Sequence, residues 1–471
     1  MDELAEWRKR LNPIRRKDKE KPDKQPNQKP GEERTEIERD YDRILFSTPV
    51  RRLADKTQVF PLERNDSVRN RLTHSYEVSN LARSIGTAIA FSGKMKDLDT
   101  LNIQRDIPAM LAAIGIAHDI GNPPFGHQGE AAIRSWFEQN PKVLECCAFN
   151  KAMKNDFLLF EGNAQTLRLL TRLQLLNDDY GLNVTYGTLA ALMKYTVPSD
   201  QIDKSTVASK KYGYFQSEAK IVEEIWQETG LSQGHRHPLT YIMEACDDIA
   251  YSVLDAEDAV KKGLVSFSDL IAFLKHDGKG DAIITQVCKL ACKKHLEYRK
   301  ETLSPGELND ISMQMFRVYA ISAMVRETIQ AFLEKKQALL LGTYSSGLLK
   351  NTAAEKLLKL LKKFDRMHAY RHRTVLEIEL TGYNVIIGLM DYLWSGIHKR
   401  KDANDPASDR TSPFAAYIYS RISENYRRVF EKQSELPMRY RELQLLTDMI
   451  SGMTDSYAIT LLDELKEHDA C

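Results

Sequence analysis

From about residue 36 to the C-terminus, apolar side chains recur three or four positions apart, the spacing that gathers them on one face of an α-helix. Leu81, Ile85 and Ile89 form one such stripe, Ile242, Ile249 and Val253 a second, and Leu357, Leu358 and Leu361 a third. Alternation over five or more residues, the mark of a half-buried strand, is rare. A short strand pair near Tyr186 or Lys211 is the most the pattern allows, so the expected fold class is all-α. No repeat of fixed period is visible. Turn residues at 278–280 and 399–413 read as loops inside one large helical body. The expected division is an arm over residues 1–35, a core over 36–275 and a helical C-terminal region over 276–471.

Residues 1–35 break the helical pattern. They hold Pro13, Pro22, Pro26 and Pro30 among charged and amide residues, with almost nothing apolar after Ile14, so a mobile or partner-ordered arm is expected. Its nine Lys and Arg between Arg8 and Lys24, against three acids, offer contacts to phosphate, with a solvated tail as the competing account. The whole chain is balanced at 67 basic and 66 acidic residues, which argues against a surface given over entirely to nucleic acid. The longest apolar run, Ile107 to Ala117, falls short of the roughly 18 residues that span a bilayer. No membrane span is expected, and an N-terminus lacking a signal-like apolar stretch points to a cytoplasmic location. Six cysteines form neither a disulfide framework nor a CxxC pattern and are expected to be reduced and mostly structural.

Chemistry concentrates where the apolar run AMLAAIGIA meets His118-Asp119 and the sequence Gly121-Asn122-Pro123-Pro124 stops the helix. Two ionisable groups leaving a core need a cation, an amide or a metal as partner. A turn-capping Asp119 and a carbonyl-bonded His118 would be the plain alternative. Around this dipeptide stand His74 in RNRLTHSYEV, and His127 with Glu130, three residues apart on one helical face. In YIMEACDDIAYSVLDAEDAV, Asp247, Tyr251, Asp255 and Asp258 line one side and Ile242, Cys246, Ile249 and Val253 the other, so an acidic stripe facing water competes with a functional face. Two imidazoles with two carboxylates suit Mn, Fe or Mg better than a thiophilic ion. Such an ion acidifies water and neutralises phosphate oxygens, the needs of phosphoester hydrolysis, leaving His127 and Glu130 as acid/base and orienting groups.

The order His74, His118-Asp119, Asp247 resembles the HD-domain metal phosphohydrolases. The strings AHDIGNPPFGHQGE and RNRLTHSYEV resemble the deoxyguanosine triphosphate triphosphohydrolases in particular. Similar stretches are KTQVFPLE, FEGNAQTLRLL, LMKYTVPS, KKYGYFQSE and LQLLTDMISGMTDSYA, which extend the likeness from about residue 40 to the C-terminus. The resemblance implies an HD-domain helical fold, with a divalent metal (Mn or Mg, or Fe) held by His74, His118, Asp119 and Asp247. His127 would act at the α-phosphate with Glu130 orienting it, and Arg71 would contact phosphate. Gln58, Tyr251 and Asp255 would surround the sugar, Tyr251 blocking a ribose 2′-hydroxyl. Asn163, Lys194, Tyr195 and Lys211 match positions near the triphosphate. The resemblance further implies dGTP or another dNTP as substrate, cleaved to deoxyguanosine and tripolyphosphate, and a homohexamer in which Arg439 or Arg441 could complete a neighbour's pocket. Rival readings are an HD phosphohydrolase of broader dNTP specificity and a regulatory protein answering to nucleotide or single-stranded DNA. His235 and His237 read as solvated loop residues, and His368, Arg371, His372 and Arg373 as an exposed basic face.

Overall fold

Each of the three apolar stripes turns inward on a helix, which is why the chain builds its core without a sheet. The computed structural model describes residues 2–20, 32–60, 65, 67–174 and 179–469. Ile85, Ile89, Ile242, Ile249, Val253, Leu357 and Leu361 are fully buried. Among the described residues there is no sheet, only isolated bridges such as Arg15 with Thr185 and Arg400 with Arg410. The architecture is all-α, and no helix among the described residues is long and apolar enough to cross a membrane.

Two helices form the centre. Arg71–Ala90 starts at Asn70, whose side chain accepts from Thr73 N–H in a capping box. It lies against Ile103–Ala117, a helix buried on nearly every side. Their approach is set by Gly115: a Cβ there would come within 2.7 Å of the Ser79 Cα, so any larger residue would force the helices apart. Pro238–Lys261 packs across this pair, starting from Pro238 at a position where a missing N–H costs nothing. The main core runs from Trp7 to Leu465 and so draws on both ends of the chain, while a second cluster joins Ile249 and Val253 to helices between Phe267 and His368. Gly278 ends the Phe267–Asp277 helix, and the 399–413 loop leads into Pro413–Arg421.

Residues 2–20 do not form the expected mobile arm. Asp2 caps Glu3–Arg10, and Trp7 and Leu11, one turn apart, insert into the main core. Arg10 donates to the backbone oxygens of Thr229 and Leu340, and Arg15 pairs with Asp40 at 2.6 Å and Glu36 at 2.7 Å. The composition argument counted these arginines as solvated charges; carbonyls and carboxylates distant in sequence satisfy them instead. Arg10 and Arg15, two of the cations that suggested a phosphate-binding arm, are thereby spent on protein partners. Residues 21–31 of the expected arm, residues 61–63 of KTQVFPLE and Cys471 lie outside the described residues.

His237 also departs from expectation. It is fully buried, its Nδ1 accepting from Leu239 N–H at the start of Pro238–Lys261 and its Nε2 lying 3.0 Å from the Arg10 carbonyl. His235 is exposed, as expected of a loop.

Candidate metal centre and active site

His74 lies in the first turn of Arg71–Ala90, and His118 is the residue at which Ile103–Ala117 ends. The tight crossing of the two helices brings the imidazoles to 5.6 Å between ring centres. Asp247 enters from Pro238–Lys261. Its Oδ1 lies 3.4 Å from His74 Nε2 and 3.6 Å from His118 Nε2. One ligand atom from each of His74, His118 and Asp247 fits within 4.8 Å of the others.

The donor set fits a metal. His118 Nδ1 donates to the Gly115 carbonyl at 2.7 Å, which leaves the Nε2 lone pair aimed at the centre of the triad. That Nε2 and both ring nitrogens of His74 are enclosed without a hydrogen-bond partner, although both histidines are nearly inaccessible to water. Orphaned imidazole nitrogens facing a carboxylate are costly in a closed protein and cease to be so around a cation. Electrostatics point the same way. Burial disfavours the His118 imidazolium, yet Asp119 and Asp247 outweigh it and push the ring up to about 9. Burial would raise the Asp247 carboxyl, but Lys194 and the two imidazoles hold it well below the usual range.

Asp119 stands beside this triad. Its Oδ1 is 3.5 Å from His118 Nε2 and accepts from Asn122 Nδ2 at 2.7 Å, while Oδ2 is engaged by Arg71 Nη1. Arg71 also donates to the Thr57 carbonyl, so it bridges the Gln58 segment to the His-Asp turn. The turn itself is locked by Gly121, where a Cβ would come within 2.3 Å of the Gly162 oxygen and Thr166 nitrogen. Beyond it, Phe125 and Gly126 take left-handed backbone angles and swing the chain into Gly126–Gln139. Asp455, from the late LQLLTDMISGMTDSYA string, holds this swing by accepting from Phe125 N–H and Thr57 N–H.

Gly126–Gln139 presents His127 and Glu130 toward opposite environments: the His127 side chain is 84% exposed and that of Glu130 5%. His127 Nδ1 lies 3.6 Å from Glu130 Oε2. Glu130 Oε1 accepts from Gly162 N–H at 2.8 Å, and Arg134 Nη2 approaches Oε2 at 3.3 Å. The imidazole is thus free to turn toward a reactant while its partner carboxylate is fixed.

The expected triphosphate residues gather on the neighbouring wall. Lys194 Nζ donates to Asp247 Oδ2 at 3.2 Å, and Lys211 Nζ lies 2.6 Å from Glu161 Oε2. Asn163 Nδ2 donates to Glu161 Oε1 at 2.6 Å. Tyr195 is buried beneath Lys210, Lys211 and Arg236, each about 6 Å from its ring centre. Gln58 Oε1 is enclosed with no hydrogen-bond partner. On Pro238–Lys261 the acidic side does not face water. Asp255 and Asp258 are buried, Asp255 Oδ2 accepts from Tyr370 OH at 2.5 Å, and the Tyr251 and Tyr370 rings stand 5.7 Å apart. Burial holds the Asp255 carboxyl well above the ordinary range, with Asp258 adding to the effect.

Several groups at the site escaped the sequence reading. Glu161 lay unremarked inside FEGNAQTLRLL, and Arg134 four residues after Glu130. Tyr370 and Asp365 sat in a run valued only for its basic residues. Asp365 is fully buried with neither carboxylate oxygen hydrogen-bonded. Arg439 stacks over Trp394 and pairs with Glu442, and Arg441 donates to the Phe430 and Lys432 carbonyls, so within one chain both serve the fold. A cavity of about 940 Å³ between Arg71–Ala90 and Pro305–Leu340 has no carboxylate or imidazole in its wall.

Comparison with known proteins agrees with this geometry. Residues 71–154 match the HD domain family. A deoxyguanosinetriphosphate triphosphohydrolase-like protein of Listeria monocytogenes is 36% identical over 442 residues, covering 92% of this chain and 94% of its own length. Deoxyguanosinetriphosphate triphosphohydrolases of Salmonella typhimurium and Serratia proteamaculans are 33% and 32% identical, each covering 90% of this chain and 92% of their own.

Proposed function

The chain belongs to the deoxyguanosinetriphosphate triphosphohydrolase family of HD-domain proteins, and from that premise we propose that it hydrolyses dGTP to deoxyguanosine and tripolyphosphate. It is a nucleoside triphosphate hydrolase. The observation that carries the reading is the His74–His118–Asp247 triad, two buried imidazoles facing a half-buried carboxylate, with imidazole nitrogens that no hydrogen-bond partner among the described residues satisfies.

We assign the metal to His74, His118 and Asp247, with Asp119 alongside as the fourth ligand. A divalent cation there supplies charge neutralisation at phosphate oxygens and acidifies water. His127 moves the proton: water oxygen bonds to the α-phosphorus, the bond from phosphorus to the 5′-oxygen breaks, and the 5′-oxygen leaves as the nucleoside hydroxyl. Glu130, fixed by Gly162 N–H and Arg134, orients the His127 ring. Arg71, Lys194, Lys211, Asn163 and Tyr195 form the triphosphate side, where several cations are needed against one polyanion. Gln58, Tyr251 and Asp255 form the sugar side; the unpartnered Gln58 Oε1 suits a hydroxyl donor. Residues 36–275 are assigned as the phosphohydrolase core, with 276–471 completing the pocket through Tyr370.

Chromatographic analysis of the products from metal-loaded protein and dGTP tests the reading. Deoxyguanosine with intact tripolyphosphate is the expected result; dGMP with pyrophosphate overturns it. Equal turnover of all four dNTPs would remove the guanine preference and leave a broad dNTP hydrolase.

A further inference from the structure

Glu161 is a buried acid at the site for which the proposed chemistry has no use. It occupies the position just before the Gly162–Arg168 helix, and its side chain makes no capping bond to that helix. Its carboxylate turns the other way. Oε1 accepts from Asn163 Nδ2, and Oε2 lies 2.6 Å from Lys211 Nζ and 3.7 Å from Arg134 Nη2. The two halves of the Lys211 pair differ in exposure: the Glu161 side chain is 2% exposed and that of Lys211 40%. At this separation the two groups form a charge-assisted pair, and the exposed half of the pair, Lys211, is the one with room to move.

We propose that Glu161 is a placeholder for phosphate, an internal anion that competes with the triphosphate chain for Lys211 and so weakens the enzyme's hold on tripolyphosphate. The inference rests on the reading of Lys211 and Asn163 as triphosphate contacts. When a polyphosphate approaches, Lys211 rotates from the buried carboxylate to the exposed phosphate, and Arg134 stays beside Glu161 to compensate its charge. When the polyphosphate leaves, Glu161 recaptures the lysine. An anion bound at Lys211 must first displace this carboxylate from the ammonium, so removing the carboxylate charge strengthens anion binding through Lys211. A carboxylate that merely supported the fold would do the opposite.

The test uses full-length protein and inorganic tripolyphosphate, titrated calorimetrically with the same excess of Mg²⁺ in cell and syringe. Glu161→Gln removes the charge while its amide oxygen still accepts from Asn163. This variant is expected to bind tripolyphosphate about tenfold more tightly than wild type, because the anion no longer has to break the Glu161–Lys211 ion pair. In a Lys211→Ala background the same substitution is expected to change affinity by no more than about twofold, because the object of competition is gone. Weaker or unchanged binding by Glu161→Gln overturns the proposal. So does equal tightening with and without Lys211, which would reveal a general field effect instead of competition. Should Glu161→Gln fail to fold, Glu161→Asp, whose shorter reach loosens its hold on Lys211, is expected to tighten binding by about threefold, and no tightening overturns the proposal. Because binding is read without turnover, failure to hydrolyse dGTP would sink the hydrolase reading separately from this one.

Discussion

Pro238–Lys261 carries two acidic sites ten residues apart, one buried and one half-buried, and they are satisfied in opposite ways. Near its C-terminal end, Glu257 and Asp258 are closed by Arg69, at 2.7 and 2.6 Å, and by Arg317 at 2.8 Å from Glu257. Asp258 also accepts from the Arg69 N–H. In the middle of the same helix, Asp247 faces two imidazoles whose inward nitrogens have no hydrogen-bond partner. Both sites bury charge on one helix face. Only the first is complete with protein atoms alone, which makes it a structural clasp between helices. At the second, Lys194 engages one oxygen of Asp247 while the imidazole nitrogens stay without a hydrogen-bond partner among the described residues, and that is what separates a ligand set from a strut.

Four measurements sharpen or break this contrast. The largest effect is expected at the incomplete site: His118→Ala or Asp247→Ala should lower dGTP turnover by about a thousandfold or more and abolish metal retention measured by mass spectrometry. Full activity in either variant would erase the distinction. At the complete site, Arg69→Ala strands two buried carboxylates and should cost about 3–5 kcal/mol in urea unfolding while metal content stays normal. A wild-type metal content would not survive if the two sites were one unit. Next, adding Mn²⁺ at 100 times its dissociation constant should stabilise wild type by about 2.7 kcal/mol and Arg69→Ala equally, but leave His118→Ala unmoved.

The smallest effect calibrates the comparison with a histidine whose ring is fully used. His237 is held at about 3, far below its ordinary value, because burial disfavours its charge. The unfolded chain takes a proton near 6.5 and the folded one does not, so the His237 contribution is whole above that pH and is lost as pH falls toward 3. Between pH 6 and 5 the loss should approach about 1.4 kcal/mol per unit. His237→Asn, which retains an acceptor for the Leu239 N–H, should flatten the slope of unfolding free energy over this window. An unchanged slope would show that His237 is not the group responsible.

How far the site was legible in the sequence follows from these examples. His118 and Asp119 stood out because the abrupt stop of an apolar helix is a local property, whereas His74 and Asp247 were joined to them only through the family resemblance. The burial of Asp255 and Asp258 could not be told from a solvated stripe, since an amphipathic helix looks alike whether its polar side meets water or another helix. Arg10 and Arg15 misled for the converse reason: a charge with a buried partner, whether some twenty residues away as for Arg15 or more than two hundred as for Arg10, has the same composition as a charge in solvent. Glu161 passed unnoticed because its importance lies in Lys211, fifty residues later.

The sequence by itself determined that this chain is helical, where its central helix must end, and which histidines and acids stand at that end, because backbone periodicity and proline chemistry act over a few residues. Only the tertiary structure decided which of those groups lack partners, that the N-terminal segment belongs to the core, and that Glu161 holds Lys211. Partnership between side chains depends on how helices cross, and that crossing is set by close contacts such as Gly115 on Ser79, which join residues far apart in the chain.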